Sequence, residues 1–256
     1  MNSYAFFTDS DSDLPFRFVD ELELDMVYMP YMVDGKEYFE PVLASGRDIL
    51  FAAFSSQLSG TIQNIYAARE ELLQRYPERR MIVVDTLSIS LPQSILVLKA
   101  HELYRQGKTM DEVAAWLEEN KSRSQAFFTV DDLAYLRRGG RISAVAATVG
   151  TMLDLKPIIT EGKNGKLLSM DKVRGRKQAL RTLAELAAQN IDDPSEAEMY
   201  VLHADAPQDA ERLVQLLREK IPGLNQISVR YVGPVIGAHC GPGTVAVCFF
   251  GKERPY

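Results

Sequence analysis

Cysteine is nearly absent from the chain: there are two in 256 residues, Cys240 and Cys248, eight positions apart. That spacing matches neither a disulfide framework nor a zinc-ligand pattern, which excludes a stapled secreted scaffold and a structural zinc site. Long apolar runs are lacking too, since none reaches the ~20 residues needed to cross a bilayer. The opening MNSYAFFTDSDSD has neither the basic start nor the apolar core of a secretory leader. A reduced, cytoplasmic setting is the expectation. Basic charge is outnumbered, 29 Lys and Arg against 35 Asp and Glu for a net charge of -6, and this argues against a nucleic-acid surface. Low-complexity tracts and internal repeats are also absent. What is present is 46% hydrophobic and 25% charged residues, enough for one large globular domain or two modest ones, each with its own core.

Short apolar runs alternate with helical patterns through the first half. AFFTDS (5–10), DILFAAFSS (48–56), RMIVVDT (80–86) and SQAFFTV (124–130) read as strands that end in small or acidic residues. In residues 61–76, Ile62, Ile65, Leu72, Leu73 and Tyr76 form one apolar stripe at helical spacing. Two further helices are predicted on either side of Gly107, with Thr109 as N-cap of the second. Strands alternating with helices predict a mostly parallel sheet, whose ligands gather at the carboxyl edge. The pattern changes after RISAVAATVGTMLD (141–154). KPIIT and KLLSMDKV flank Asn164-Gly165, a two-residue hairpin signal, and then come helix, strand, helix and two closing strands, QISVRYV and TVAVCFFG. The expectation is two α/β domains, 1–154 with a parallel sheet and 155–256 with a mixed one.

Several stretches bear on chemistry. TDSDSDLP follows the first strand, but an EF-hand loop starting at Asp9 would need Gly where Leu14 stands and Glu where Asp20 stands, so calcium is excluded. Asp9 and Asp11 also resemble the Asp-x-Asp of haloacid-dehalogenase-type phosphatases, although that pattern continues with Thr where this chain has Asp13; a polar turn accounts for the same residues. In FSSQLSGTIQN, Ser59, Gly60 and Thr61 sit where strand passes into helix. Free N–H groups, a positive dipole end and a hydroxyl suit an anion there, and the same residues are ordinary helix caps. YLRRGGRIS and DKVRGRK bring Arg137, Arg138, Arg141, Lys172, Arg174, Arg176 and Lys177 into two glycine-containing turns, which read either as an electropositive patch or as a solvated edge. VGPVIGAHCGPG (232–243) packs four glycines and two prolines about His239. It reads as a loop in which backbone approaches a ligand closely and a histidine binds rather than catalyses. His101 and His203 fall on predicted helix and strand, where a structural role is expected.

Taken in order, TDSDSDLP, SSQLSGTIQN, VDTLSIS, YLRRGGRIS, KVRGRK, LHADAP and GPVIGAHCGPG resemble the DegV family, which includes the fatty-acid-binding subunits of bacterial fatty acid kinases. The resemblance implies two α/β domains with a fatty acid buried between them, no catalysis and no cofactor in this chain, and a separate ATP-binding kinase subunit that makes the acyl phosphate. It places carboxylate contacts on Ser59 with its neighbours Gly60 and Thr61, and on His239. It puts Arg141 near the head group and Arg174 toward partner docking. Three departures stand out. About thirty residues that family members carry after an Asp-Gly-Lys hairpin, with a Thr-Ser-Gln motif, are absent; Cys240 stands where threonine is common after the histidine; and the turn after the third strand reads SISLPQ, without the usual glycine. Burial of about fourteen methylenes at roughly 0.8 kcal/mol each supplies on the order of 11 kcal/mol before ordering costs. Two other readings remain at this stage: a magnesium phosphatase using Asp9 and Asp11, and an interaction module that has lost its lipid.

Overall fold

A computed structural model describes residues 3–14, 21, 24–27, 36–141, 154–195 and 197–254. The chain divides into two compact units, Met1–Lys121 and Ser122–Tyr256.

The first unit is built on a four-stranded parallel sheet of order β2-β1-β3-β4, from β1 (Tyr4–Asp9), β2 (Asp25–Val27), β3 (Asp48–Ala53) and β4 (Met81–Asp85). Every residue of β1 is buried, as in a central parallel strand covered on both faces. Alternation along the strands sorts the side chains between two helical layers. Ala5, Phe7, Ile49, Phe51 and Ala53 pack with Phe39 and Leu43 of α1 (Lys36–Ala44) and with Ile62, Ile65, Ala68 and Leu72 of α2 (Thr61–Arg75). Phe39 meets Phe7 and Phe51 edge-on at 5.4 and 5.7 Å. On the other face Phe6 lies against His101 and Tyr104 of α3 (Ser90–Arg105). The next helix, α4 (Met110–Asn120), starts at the expected Thr109, whose hydroxyl accepts the Glu112 amide while Glu112 accepts the Thr109 amide.

The second unit holds a six-stranded sheet of order β7-β6-β5-β10-β8-β9, from β5 (Ser124–Thr129), β6 (Leu155–Glu161), β7 (Leu167–Arg174), β8 (Glu198–His203), β9 (Gln226–Tyr231) and β10 (Val245–Phe250). Neighbours are antiparallel except β8 and β9. Besides the short α5 (Ala134–Arg138), α6 (Arg176–Asn190) and α7 (Pro207–Lys220) cover one face, where Leu180, Leu183, Leu213 and Leu217 meet Phe127, Val201, Val247 and Phe249. The β6–β7 turn sits at the expected place. It uses three residues rather than two, because the Gly165 amide donates to the Gly162 carbonyl and Gly165 takes φ 76°, the turn-plus-glycine form of hairpin.

Two expectations are corrected. The boundary between units lies at Lys121/Ser122 instead of 154/155, because β5 joins the second sheet: it runs antiparallel to β10 and β6. A fully buried strand carries the same apolar run whichever sheet receives it. The stretch around His239 is also no loop, since Pro234–Cys240 forms a helix, α8, with proline in its first turn and Gly241 at φ 77° just past its end. RISAVAATVGTMLD lies outside the described residues apart from Arg141 and Asp154, and so do Asp34 and Gly35.

Candidate functional site

The order of the first sheet reverses between β1 and β3, the place where open parallel sheets receive ligands. There the segment Phe54–Gly60 turns from β3 into α2, held by a ladder of bonds. The Phe54 amide donates to Asp9 Oδ2 at 2.7 Å, the Ser55 amide to the Ser88 carbonyl at 3.0 Å, and the Ser56 amide to Asp85 Oδ1 at 3.2 Å. The Ser59 amide returns to the Ser55 carbonyl at 3.2 Å, and Ser59 Oγ accepts the Thr61 amide at 3.3 Å. Gly60 is the N-cap of α2 and uses no side chain for capping. Ser59 and Thr61 are half-buried and Gly60 is exposed, so a hydroxyl pair and the positive end of a 15-residue helix share one accessible corner.

Beneath the corner lies a cluster of buried polar groups. Asp9 is 1% exposed and Asp11 3%. Burial first, then the charge of Asp11, pushes the Asp9 carboxyl up to about 7, even though the Phe54 and Gln93 donors pull it down; burial pushes Asp11 up to about 6. Both Asp9 oxygens accept hydrogen bonds, Oδ2 from Phe54 and Oδ1 from Gln93 Nε2 at 3.2 Å. Nothing in this geometry favours Asp9 as a phosphatase nucleophile. No group of three or more His, Cys, Asp or Glu among the described residues is arranged to hold a metal. In the adjoining turns Asp13, Leu87 and Ser90 have φ of 53°, 51° and 54°, left-handed backbone that glycine adopts most readily. Leucine and serine hold that backbone form here at positions 87 and 90. Ser90 Oγ donates to Asp13 Oδ2.

In the second unit, α8 lies against α5 and the two glycines that follow it. A β-carbon on Gly139 would stand 2.3 Å from His239 Nδ1, and one on Gly241 would stand 2.4 Å from the Tyr135 ring. The YLRRGG and GAHCGPG stretches, a hundred residues apart in sequence, are thus one packed element. Thr244 Oγ1 at 2.9 Å from the Cys240 and Gly241 carbonyls caps the end of α8. His239 is held below the ordinary histidine range by burial and by the charge of Arg141, so near neutral pH it is an uncharged imidazole beside an exposed guanidinium.

Of the residues singled out from sequence, Ser59, Gly60 and Thr61 share the α2 corner, and His239 and Arg141 come together on α8 and the end of α5. Arg174 ends β7, exposed. The DKVRGRK cations separate: Arg176 pairs with Asp209 at 2.8 Å and donates to the Gly243 carbonyl at 2.5 Å, while Lys172, Arg174 and Lys177 stay at the surface. His101 and His203 are core residues as expected, 2% and 3% exposed, with His203 Nδ1 accepting the Ala206 amide at 3.2 Å. Both cysteines are buried, and neither is in a disulfide. Asp85, Gln93, Gly139 and Gly241 were not read as functional from sequence. For the glycines the only signal was their place in the two motifs, and for Asp85 its position at a strand's carboxyl end.

A DegV domain-containing protein of Clostridium perfringens is 36% identical over 290 positions, covering 99% of each chain. With 256 residues here, at least 34 of those positions (290 less 256) hold residues of the relative alone. Among solved structures, a fatty acid binding DegV family protein from Streptococcus agalactiae superposes with TM-score 0.80 at 26% identity, over 99% of this chain and 100% of that one. A structure described as fatty acid binding of a DegV family protein from Thermus thermophilus does so with TM-score 0.80 at 28% identity, over 97% and 99%. The model of the family described as "Uncharacterised protein, DegV family" matches residues 36–252, and the chain belongs to the DegV family.

Proposed function

We propose that this chain binds a long-chain fatty acid and presents its carboxylate to a separate ATP-binding kinase subunit for conversion to an acyl phosphate. The chain itself binds and does not catalyse. What carries the reading is its likeness, over nearly its whole length and at 26 and 28% identity, to DegV proteins that bind fatty acids. The α2 corner supports it physically, because a carboxylate leaving water needs donors, and the Ser59 and Thr61 hydroxyls at the start of α2 are donors already in place. In the second unit, His239 has an uncharged ring donor and Arg141 beside it a positive field, both of which suit an anion. Exposed Arg174 is assigned to partner docking.

Protein purified from cells, denatured and extracted, is expected to yield about one fatty acid per chain by mass spectrometry; an empty extract from folded protein overturns the reading. With hydrogen bonds to a charged group worth about 1.5–3 kcal/mol, Ser59→Ala and His239→Ala should each weaken fatty-acid binding roughly 10- to 100-fold. Unchanged acyl-phosphate formation by the double variant with a cognate kinase subunit would show that neither residue is a carboxylate contact.

A further inference from the structure

We infer that Asp9 is the positioning residue of the carboxylate-binding corner, setting through the Phe54 amide where Ser59, Gly60 and Thr61 stand. The inference rests on the proposed fatty-acid reading for what the corner receives, but the geometry stands by itself. Asp9 ends β1 on one side of the sheet's reversal point, and Phe54 leaves β3 on the other. The 2.7 Å bond between them is the first rung of the ladder that runs through Ser55 to the Ser59 amide and on to Thr61. Asp9 is itself fixed from behind. Gln93 Nε2 donates to Asp9 Oδ1 at 3.2 Å, to Thr8 Oγ1 at 3.2 Å and to the Ala52 carbonyl at 3.3 Å, and Thr8 Oγ1 donates to that same carbonyl at 3.0 Å. Thr8 and Gln93 are fully buried, so the network has little freedom to rearrange.

A carboxyl is an expensive choice for such a place. No basic side chain pairs with Asp9 among the described residues; Asp11 nearby adds like charge, and Asp11 Oδ1 has no hydrogen-bond partner among them. A hydrophobic residue would fill the space without that cost, but it would leave the Phe54 amide a buried donor without an acceptor. The need served is therefore acceptance of the Phe54 amide. Asparagine meets it as well: its Oδ1 takes the Phe54 amide, and only the bond that Asp9 Oδ1 accepts from Gln93 Nε2 is given up.

The test compares Asp9→Leu and Asp9→Asn with the parent by site-resolved amide hydrogen exchange and by titration with radiolabelled palmitate. Expected for Asp9→Leu are exchange at least 10-fold faster at Phe54–Thr61, with β1 and the middle of β3 unchanged, and palmitate binding at least 10-fold weaker. Asp9→Asn should restore both to within about 3-fold. Parental exchange at Phe54–Thr61 in Asp9→Leu overturns the inference, and so does an Asp9→Asn variant as impaired as Asp9→Leu. If Asp9→Leu does not fold, Asp9→Ser, whose oxygen falls short of the Phe54 amide, replaces it with the same expected outcomes. Failure of the parent protein to bind palmitate would refute the fatty-acid reading alone, because the exchange measurement needs no ligand.

Discussion

Asp9 and Asp11 each hold a proton more tightly in the folded chain than at the ordinary carboxyl value of 3.8, at about 7 and about 6 respectively. Between roughly pH 4 and 7 these two groups therefore bind more protons in the folded protein than in the unfolded one, and the stability they contribute falls as pH rises. Thermal unfolding of the parent should shift to higher temperature on going from pH 8 to pH 5.5 by more than it does in Asp9→Asn, which has nothing to titrate at that position. Equal shifts in the two proteins would show that the Asp9 proton is not held as described. His239 works in the opposite sense: its folded form resists protonation, so below its ordinary 6.5 it loses stability as pH falls. Measuring the difference between parent and Asp9→Asn removes that contribution. At this scale the sequence pointed to Ser59 and the aspartates, because polar residues at the end of a strand are conspicuous, and to His239 through the glycines and prolines around it. It did not indicate that Asp9 would face the Phe54 amide, a pairing across 45 residues.

Two helices illustrate how elements were or were not legible. The start of α4 could be read from Thr109 and Glu112 alone, since a capping box is a local contract between two residues. Thr109→Ala should cost about 1 kcal/mol of stability in urea unfolding, with no effect on ligand binding. In α8 the glycines and prolines argued for a loop, although proline at the start and glycine just past the end are also helix signals. A short helix with Gly237 inside it has little intrinsic stability, so packing on α5 decides its form, and that packing depends on glycines elsewhere. Gly139 has ordinary φ, so Gly139→Ala imposes no backbone strain and only drives a methyl into the His239 ring. The expected result is a folded protein whose fatty-acid affinity is reduced at least 10-fold; parental affinity would mean that the place of His239 against Gly139 is unimportant.

At the scale of the whole molecule there are two sheets, one in each unit. The second carries a buried ion pair, Arg254 with Glu161 at 2.7 Å, both 1% exposed, and the same guanidinium donates to the Ser124 and Gly162 carbonyls. It ties the C-terminal segment to the start of β5 and the end of β6. Removing one partner leaves a buried charge alone, so Arg254→Met should destabilise the protein by about 3–5 kcal/mol in denaturant unfolding, while Arg254→Met with Glu161→Leu should recover much of it. A double variant no better than the single would show that the carbonyl contacts, not the charge pair, matter. Ligand acts at this scale as well: fatty acid at a hundred times its Kd should stabilise the chain by about 2.7 kcal/mol, visible as a higher unfolding midpoint.

By itself the sequence determined the α/β class, the alternation of strands and helices, the hairpin at Asn164-Gly165 and the family motifs, because each depends on residues close together along the chain. Tertiary structure decided which sheet β5 joins, whether the stretch around His239 is helix or loop, and what the aspartates after β1 hold. Those outcomes are choices among partners distant in sequence, such as β10 for β5, α5 for α8 and Phe54 for Asp9. A buried strand or a buried carboxyl looks the same along the chain whichever partner satisfies it.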